Sequence, residues 1–429
     1  MNRGTAAHSF EKMHVSTKRL IVGHRLGRMQ PDSDDASPSN LLPTAAASLF
    51  AEKTVRGMSS EQKFPYEMCR VRGSARDRGR AYGQWLRDRL RKFLETELGP
   101  LLDHHGVGID ERGQFAEACM PYLVDHTPRT WAFVRGLSDS TGLRVRELTL
   151  LLACEDLLWS RRHGHNAACF AISARETTDG ETYLGQTWDW PWRMWTHRHL
   201  VHQTAAEGVR ILTYGFPGLW SCAGMNSNGV SLVWTGGGDH ASNTDARPRP
   251  GVPSSALIAE VLEQSSFDAA VQCAMQVVHA GWFVLLLAAR DGRLARIEAS
   301  PGAKACERPP SMTCAHALFT AEGVRAAVGQ PDAGRAVGYH ARYARLCELL
   351  LSHSGRMDHN VLAGFLRDHV EETATASICR HPDETKSEWA WGTLDGLLFS
   401  PSLNQSWFIP GPPCQNRVHA LRYKSRGGH

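Results

Sequence analysis

His165-Asn166-Ala167-Ala168-Cys169-Phe170-Ala171-Ile172-Ser173 is followed, across a Thr177-Thr178-Asp179-Gly180 turn, by a second apolar run that ends in Gly185-Gln186-Thr187-Trp188-Asp189-Trp190. Cys169 to Ala174 and Glu181 to Trp188 read as the two strands of a hairpin. This places a thiol at the head of one strand and a carboxylate at the end of its partner, facing one another. If the peptide bond just before such a thiol is cut, the freed α-amine, with an ordinary pKa of about 8, can serve as general base for its own side chain. Without further context Cys169 also reads as a buried strand cysteine, and Asp189 as a turn former.

The flanking sequence sets this hairpin between helices and sheets. Upstream, Tyr66 to Arg72 reads as a strand, and a helix rich in Arg and Leu runs on to about Leu98. Apolar residues at three- and four-residue spacing predict further helices over Arg112 to His126, Arg129 to Thr141 and Arg144 to Ser160. Downstream, strands are expected at His199 to Gln203, Val209 to Tyr214, Ser221 to Met225 and Gly229 to Thr235. Helices Ser254 to Glu263 and Phe267 to Val278 follow, then strands Trp282 to Ala289 and Leu294 to Ala299. Helices Ala336 to Ser352 and Asn360 to His369 precede final strands near Ser387 to Phe399 and Gln405 to Ile409. Helices, sheets, helices and sheets in turn give a layered α+β order.

Composition narrows the function classes. The chain has 429 residues, 42% of them hydrophobic, enough for a substantial core. A net charge of +4 with no basic stripe argues against nucleic acid as a partner. No apolar run is long enough for a membrane span. The eleven cysteines contain no CxxC pair, so most are expected to be reduced and buried. His199-x-x-His202 and Asp239-His240 are the nearest approaches to metal pairs. Neither has a third ligand beside it, so no metal and no cofactor are expected. Residues 1–62 lack periodicity and read as a disordered extension without a secretory signal, which points to the cytoplasm.

Several motifs, in order, resemble the acyl-coenzyme A:isopenicillin N (6-aminopenicillanic acid) acyltransferase family, N-terminal-nucleophile hydrolases that mature by cleaving themselves before a cysteine. Gly185-Gln186-Thr187-Trp188-Asp189 is similar to the family's Gly-Gln-Asn-Trp-Asp signature. Asn226-Ser227-Asn228-Gly229-Val230, Gly251-Val252-Pro253-Ser254 and Glu298-Ala299-Ser300-Pro301 resemble later elements. Upstream, Gly73 to Gly83, Arg135-Gly136-Leu137 and Arg146-Glu147-Leu148 resemble the segment before the cut. The likeness runs from about Phe64 to Asn404. It implies a four-layer αββα sandwich of two antiparallel sheets flanked by helices. Residues 63–168 would form a helical pro-segment and 169–429 the β-rich segment, the two building one domain.

The resemblance further implies a cysteine amidohydrolase or acyltransferase that works through an acyl-enzyme on a small-molecule amide or acyl-coenzyme A-like substrate. Cys169 would be the nucleophile and Asp189 would position the amine. Ser300 would orient substrate and His316 would help hold the oxyanion. Cleavage before Cys169 would leave a heterodimer of the chain's own two fragments. Three departures accompany this. The strict family register places Ala167, not a cysteine, at the nucleophile. Only a two-residue shift, which keeps the strand's side-chain parity, brings Cys169 there. His316, in Thr313-Cys314-Ala315-His316-Ala317, stands where the family has an asparagine. Glu388, in Lys386-Ser387-Glu388, stands where it has an arginine. The rival expectation is an inactive relative, Ala167 occupying the nucleophile position, that binds a ligand or persists as an unprocessed precursor.

Overall fold

The computed structural model describes residues 64–160, 167–237, 248–328, 333–370, 377–383, 385 and 387–422. The extension expected over 1–62, the Asp239-His240 pair and Lys386 lie outside the described residues. Two sheets carry the architecture. The larger has eight strands: β1 (Met68–Gly73), β4 (His199–Ala205), β5 (Arg210–Phe216), β6 (Leu219–Asn226), β7 (Val230–Gly236), β8 (Phe283–Ala289), β9 (Leu294–Ala299) and β10 (Lys304–Glu307), in that spatial order. The smaller has six, in the order β11 (Met312–Ala315), β2 (Cys169–Ile172), β3 (Tyr183–Pro191), β12 (Trp391–Ser400), β13 (Gln405–Pro410), β14 (His419–Arg422). Neighbouring strands are antiparallel with one exception, since β1 runs parallel to β4. A parallel pair needs a long crossover, and the helices between Gly73 and His199 supply it.

The sheets stack face to face. β2 and β3 of the small sheet lie against β7 and β8 of the large one. Outside the large sheet pack α1 (Ala75–Leu86), α5 (Pro128–Thr141), α6 (Val145–Ser160), α7 (Ser254–Leu262) and α8 (Phe267–Gln276). In chain order the others are α2 (Arg89–Phe93), α3 (Gly99–His104), α4 (Ile109–His126) and α9 (Glu322–Val328). The outer face of the small sheet carries α10 (Ala333–Ser352) and α11 (His359–Phe365). The result is the four-layer αββα sandwich expected above, with the core between the sheets and beneath each helical layer.

Local chemistry explains the element ends. Ser74 caps α1 by accepting the Asp77 N–H, and Asp358 caps α11 by accepting from Asn360 and Val361. α5 stops at Gly142, whose φ of 69° is left-handed. α1 and α5 cross at glycines on both sides. A Cβ on Gly79 would lie 2.0 Å from the Phe133 carbonyl oxygen, and one on Gly136 would lie 1.9 Å from that of Arg76.

Two adjacent acids on a helix ordinarily face solvent, yet the side chains of Glu155 and Asp156 on α6 are both buried. Asp156 accepts from the Ser254 main-chain N–H at 3.0 Å and from its hydroxyl at 2.6 Å, tying α6 to the start of α7. Burial pushes its carboxyl up to about 7, in spite of these hydrogen bonds.

Candidate active site

The register of the hairpin decides which groups share a face. Cys169 pairs with Gln186, and Phe170 with Gly185. Alternate residues of a strand point to opposite faces. Cys169 therefore points with Gln186 and Trp188 into the space between the sheets. Thr187 and Asp189 point the other way, toward α10. The hydrogen bonds agree: the Cys169 thiol donates to the Trp234 carbonyl of β7 at 3.1 Å, whereas Asp189 accepts from Arg342 of α10. Cys169 and Asp189 do not face each other, contrary to the reading of the hairpin's two ends, because an odd offset along β3 separates Asp189 from Cys169's cross-strand partner.

The thiol has a structural task where it stands. The β6–β7 ladder is confined to Gly224 with Leu232 and Met225 with Ser231. Beyond it, the main chain of Trp234 is met from the opposite sheet: its N–H donates to Gln186 Oε1 at 2.9 Å and its carbonyl accepts the Cys169 thiol. Burial pushes the Cys169 thiol well up, against the pull of Arg342, so it is protonated at neutral pH.

Asp189 lies in a cationic setting on the other face. It accepts from Arg342 and, at 2.7 Å, from the Thr393 hydroxyl. Burial alone would raise its carboxyl, but Arg342 and Arg380 outweigh this and hold it below the usual range. Arg342 also donates to the Thr187 hydroxyl at 3.2 Å and to the Ile378 carbonyl. Burial first, then Arg342, lowers Arg380 to about 10. Neither arginine stands out in the sequence. The signal that could have found Arg342 is its place on the sheet-facing side of α10, a buried cation that must have a carboxylate partner.

Three polar side chains converge on the main chain just before Cys169. The Ala167 N–H donates to Thr235 Oγ1 at 3.1 Å, and the Ala167 carbonyl accepts from His316 Nδ1 at 2.9 Å. The Ala168 N–H donates to Thr187 Oγ1 at 3.1 Å, while the Thr187 N–H donates back to the Ala168 carbonyl at 3.1 Å. The carbonyl fixes the His316 tautomer, with the proton on Nδ1. The structure thus brings His316 to Ala167 and links Asp189, through Arg342 and Thr187, to Ala168.

Ser300 stands apart from this group by its bonding. Its hydroxyl donates to the Ala303 carbonyl at 3.0 Å and accepts the Ala303 N–H at 2.9 Å, closing the turn between β9 and β10. The preceding Glu298 forms a buried pair with Arg296 and accepts from Thr320 and Ala321. Glu388, at the family's arginine position, is exposed and pairs with Arg193 at 2.6 Å. His199 and His202 do not make a metal pair: His199 Nε2 bonds the Tyr82 hydroxyl, and the two rings are separated by an odd offset on β4. A different group, His369, Cys379, His381 and Cys414, does bring metal-ligating atoms together.

Among the tryptophans after the hairpin, Trp188 and Trp190 are fully buried and pack with Tyr214, Phe216 and Trp234 between the sheets. Trp192 and Trp195 stack on each other nearer the surface. The inner cluster is core.

None of the curated proteins matches the chain. Among solved structures, a Caenorhabditis elegans N-acylethanolamine-hydrolyzing acid amidase ortholog is similar at 11% identity over 55% of this chain and 93% of its own, with a TM-score of 0.37. A variant of conjugated bile acid hydrolase from Clostridium perfringens is similar at 9% identity over 60% and 97%, with a TM-score of 0.37. Penicillin V acylase from Agrobacterium tumefaciens follows at 12% over 59% and 86%, with a TM-score of 0.38. The match to a family model begins downstream of Cys169 and takes in Asp189, Ser300 and His316. Over residues 175–318 the chain matches the model of the acyl-coenzyme A:6-aminopenicillanic acid acyl-transferase family, so the resemblance read from the motifs is to that family.

Proposed function

We propose that this chain is the precursor of a cysteine amidohydrolase or N-acyltransferase that acts on a small-molecule amide or acyl thioester, and that it matures by cutting itself between Ala168 and Cys169. The observation that carries the reading is the bracketing of the Ala168 peptide by Thr187. Its hydroxyl accepts the Ala168 N–H and its main-chain N–H donates to the Ala168 carbonyl, the oxygen on which charge develops during attack.

In the maturation step the Cys169 sulfur leaves the Trp234 carbonyl, turns about its χ1 and attacks the Ala168 carbonyl carbon. The C–N bond breaks as the C–S bond forms, and the thiol proton ends on the Cys169 nitrogen. That nitrogen is now a free α-amine, and water then hydrolyses the thioester, which frees the Cys169 thiol and leaves a carboxylate at Ala168. In turnover that amine takes the thiol proton, the thiolate attacks the substrate carbonyl, and water or an amine resolves the acyl-enzyme. Asp189 holds Arg342, and Arg342 holds the Thr187 hydroxyl that accepts the Ala168 N–H beside the cut. His316, donating from Nδ1, steadies the Ala167 carbonyl before the cut. Acyl-coenzyme A would be a substrate here and not a bound cofactor, and the two fragments would stay together as a heterodimer.

One observation favours a second reading, a non-catalytic relative. The thiol is buried, protonated and committed to Trp234, and the nearby carboxylate lies on the opposite face of the sheet. Intact-mass measurement of freshly purified protein beside Cys169→Ala separates the two. Fragments of 168 and 261 residues, the second beginning at Cys169 and both missing from the variant, are the expected result. An uncut chain in both, inactive toward a panel of N-acyl amides and acyl thioesters, sinks the proposal in favour of the binding protein.

A further inference from the structure

We infer that the chain holds a structural zinc ion between His369, Cys379, His381 and Cys414. One ligand atom from each lies within 4.8 Å of the other three. A filled tetrahedral site, with Zn–S near 2.3 Å and Zn–N near 2.0–2.1 Å, separates its ligand atoms by roughly 3.3–3.8 Å. Small side-chain rotations therefore close the group to the required size. His381 Nε2 and Cys414 Sγ already stand 3.2 Å apart, and the His369 and His381 rings lie 5.0 Å between centroids. Two imidazoles and two thiols are a donor set that suits zinc, and four protein ligands leave no open position for chemistry.

Hydrogen bonds outside the ligand set hold the three segments that carry these residues together. His369 follows α11. Cys379 and His381 lie on the segment entering β12, and Cys414 lies in the turn after β13. Arg367 joins the first region to the third by donating to the Pro413 carbonyl at 3.0 Å and the Asn416 carbonyl at 2.7 Å. The Cys379 N–H donates to the Asp368 carbonyl, and Arg380 exchanges two main-chain-anchored bonds with Thr393 of β12. Cys379 is buried and the two histidines are exposed, so an ion can enter from solvent. Between Cys379 and His381 stands Arg380, whose charge acts on Asp189. A zinc bound there fixes that arginine's segment, which makes the site a brace behind the small sheet, whether or not the enzyme chemistry proposed above holds.

The test uses the full chain purified under reducing conditions. Metal analysis should give about one zinc per chain, and exchange with cobalt should produce thiolate-to-cobalt charge-transfer absorption. Cys414→Ser and the exposed His369→Ala should each weaken zinc binding, in competition with a chromogenic chelator, by at least about tenfold. His369→Ala should do so with an unchanged circular dichroism spectrum, which separates ligand loss from misfolding. Three results would overturn the inference. One is a reduced wild-type chain that binds neither zinc nor cobalt. Another is affinity equal in the wild type and both variants. The third, in a parallel sample purified without reductant, is a mass deficit of two hydrogens, restored by reductant and traced by peptide mapping to Cys379 and Cys414 joined to each other.

Discussion

At Asp156 the cost of burying a carboxyl can be read directly as pH dependence. Its ordinary value of 3.8 rises to about 7 in the folded chain, first because of burial. Between these values the unfolded chain has already released the proton that the folded chain keeps. The unfolded state then binds fewer protons, so stability falls as pH rises through this window. The shift bounds the fall at about 4 kcal/mol. Asp156→Asn keeps an acceptor for the Ser254 N–H and removes the titration. Urea unfolding at pH 4, 5.5 and 7 should show the wild type losing its advantage over the variant as pH rises; a constant difference across the three would refute the assignment. The burial of Asp156 is not legible in the sequence, because α6 shows no polar stripe to distinguish a buried acid from a solvated one. The same limit applies to Cys169 and Asp189. Their positions at the two ends of a hairpin are legible. The face each occupies depends on a register set by Cys169 pairing with Gln186, and no local pattern fixes that pairing. His316 was legible as a departure from a motif, yet its bond to the Ala167 carbonyl was not.

Elements were far more legible than contacts. The helices that spacing predicts and the long apolar strands lie within a few residues of where it puts them, because a buried stripe or run has a period that sequence displays directly, whereas the short α3 and α9 were not foreseen. β10, β11 and β14 were not foreseen. Each is a four-residue strand, and β10 and β14 are edge strands with partly exposed residues and little alternation. Helix packing left a clearer trace, in glycines. Gly79 and Gly136 let α1 and α5 meet main chain to main chain, where a methyl group has no flexible neighbour to displace. Gly136→Ala gains slightly in helix propensity but must push the helices apart, an overpacking cost of about 1–3 kcal/mol or more. Denaturant titration should place its midpoint well below that of the wild type. Gly113→Ala, on α4 with open space around it, serves as the control and should sit at or above the wild-type midpoint. The His and Cys ligands escaped the sequence reading because they come from three segments, whose meeting depends on β12 and β13 pairing.

For the whole molecule, the order of motifs foretold the four layers correctly, and the departure from the two antiparallel sheets expected is the parallel pairing of β1 with β4. The segment before Cys169 is not an appendage: its strand extends the large sheet beside β4, and α1, α5 and α6 cover that sheet's outer face. Cutting the chain between Ala168 and Cys169, by its own chemistry or by an inserted protease site, should therefore leave one particle. Size-exclusion chromatography in buffer should show the two fragments co-eluting, and only denaturant should part them; separation in buffer alone would contradict this packing. No helix among the described residues is long and apolar enough to cross a membrane.

The parallel pairing of Met68 with Leu200 also governs how this molecule is made. During synthesis β1 leaves the ribosome long before β4 exists, and the helices that follow emerge with no sheet to cover. β2 and β3 likewise wait for β12, which comes near the end of the chain. Contacts so distant in sequence close slowly and leave apolar faces open in the meantime. Slower translation and chaperone supply should then raise the soluble yield of this protein more than any change to its folded contacts.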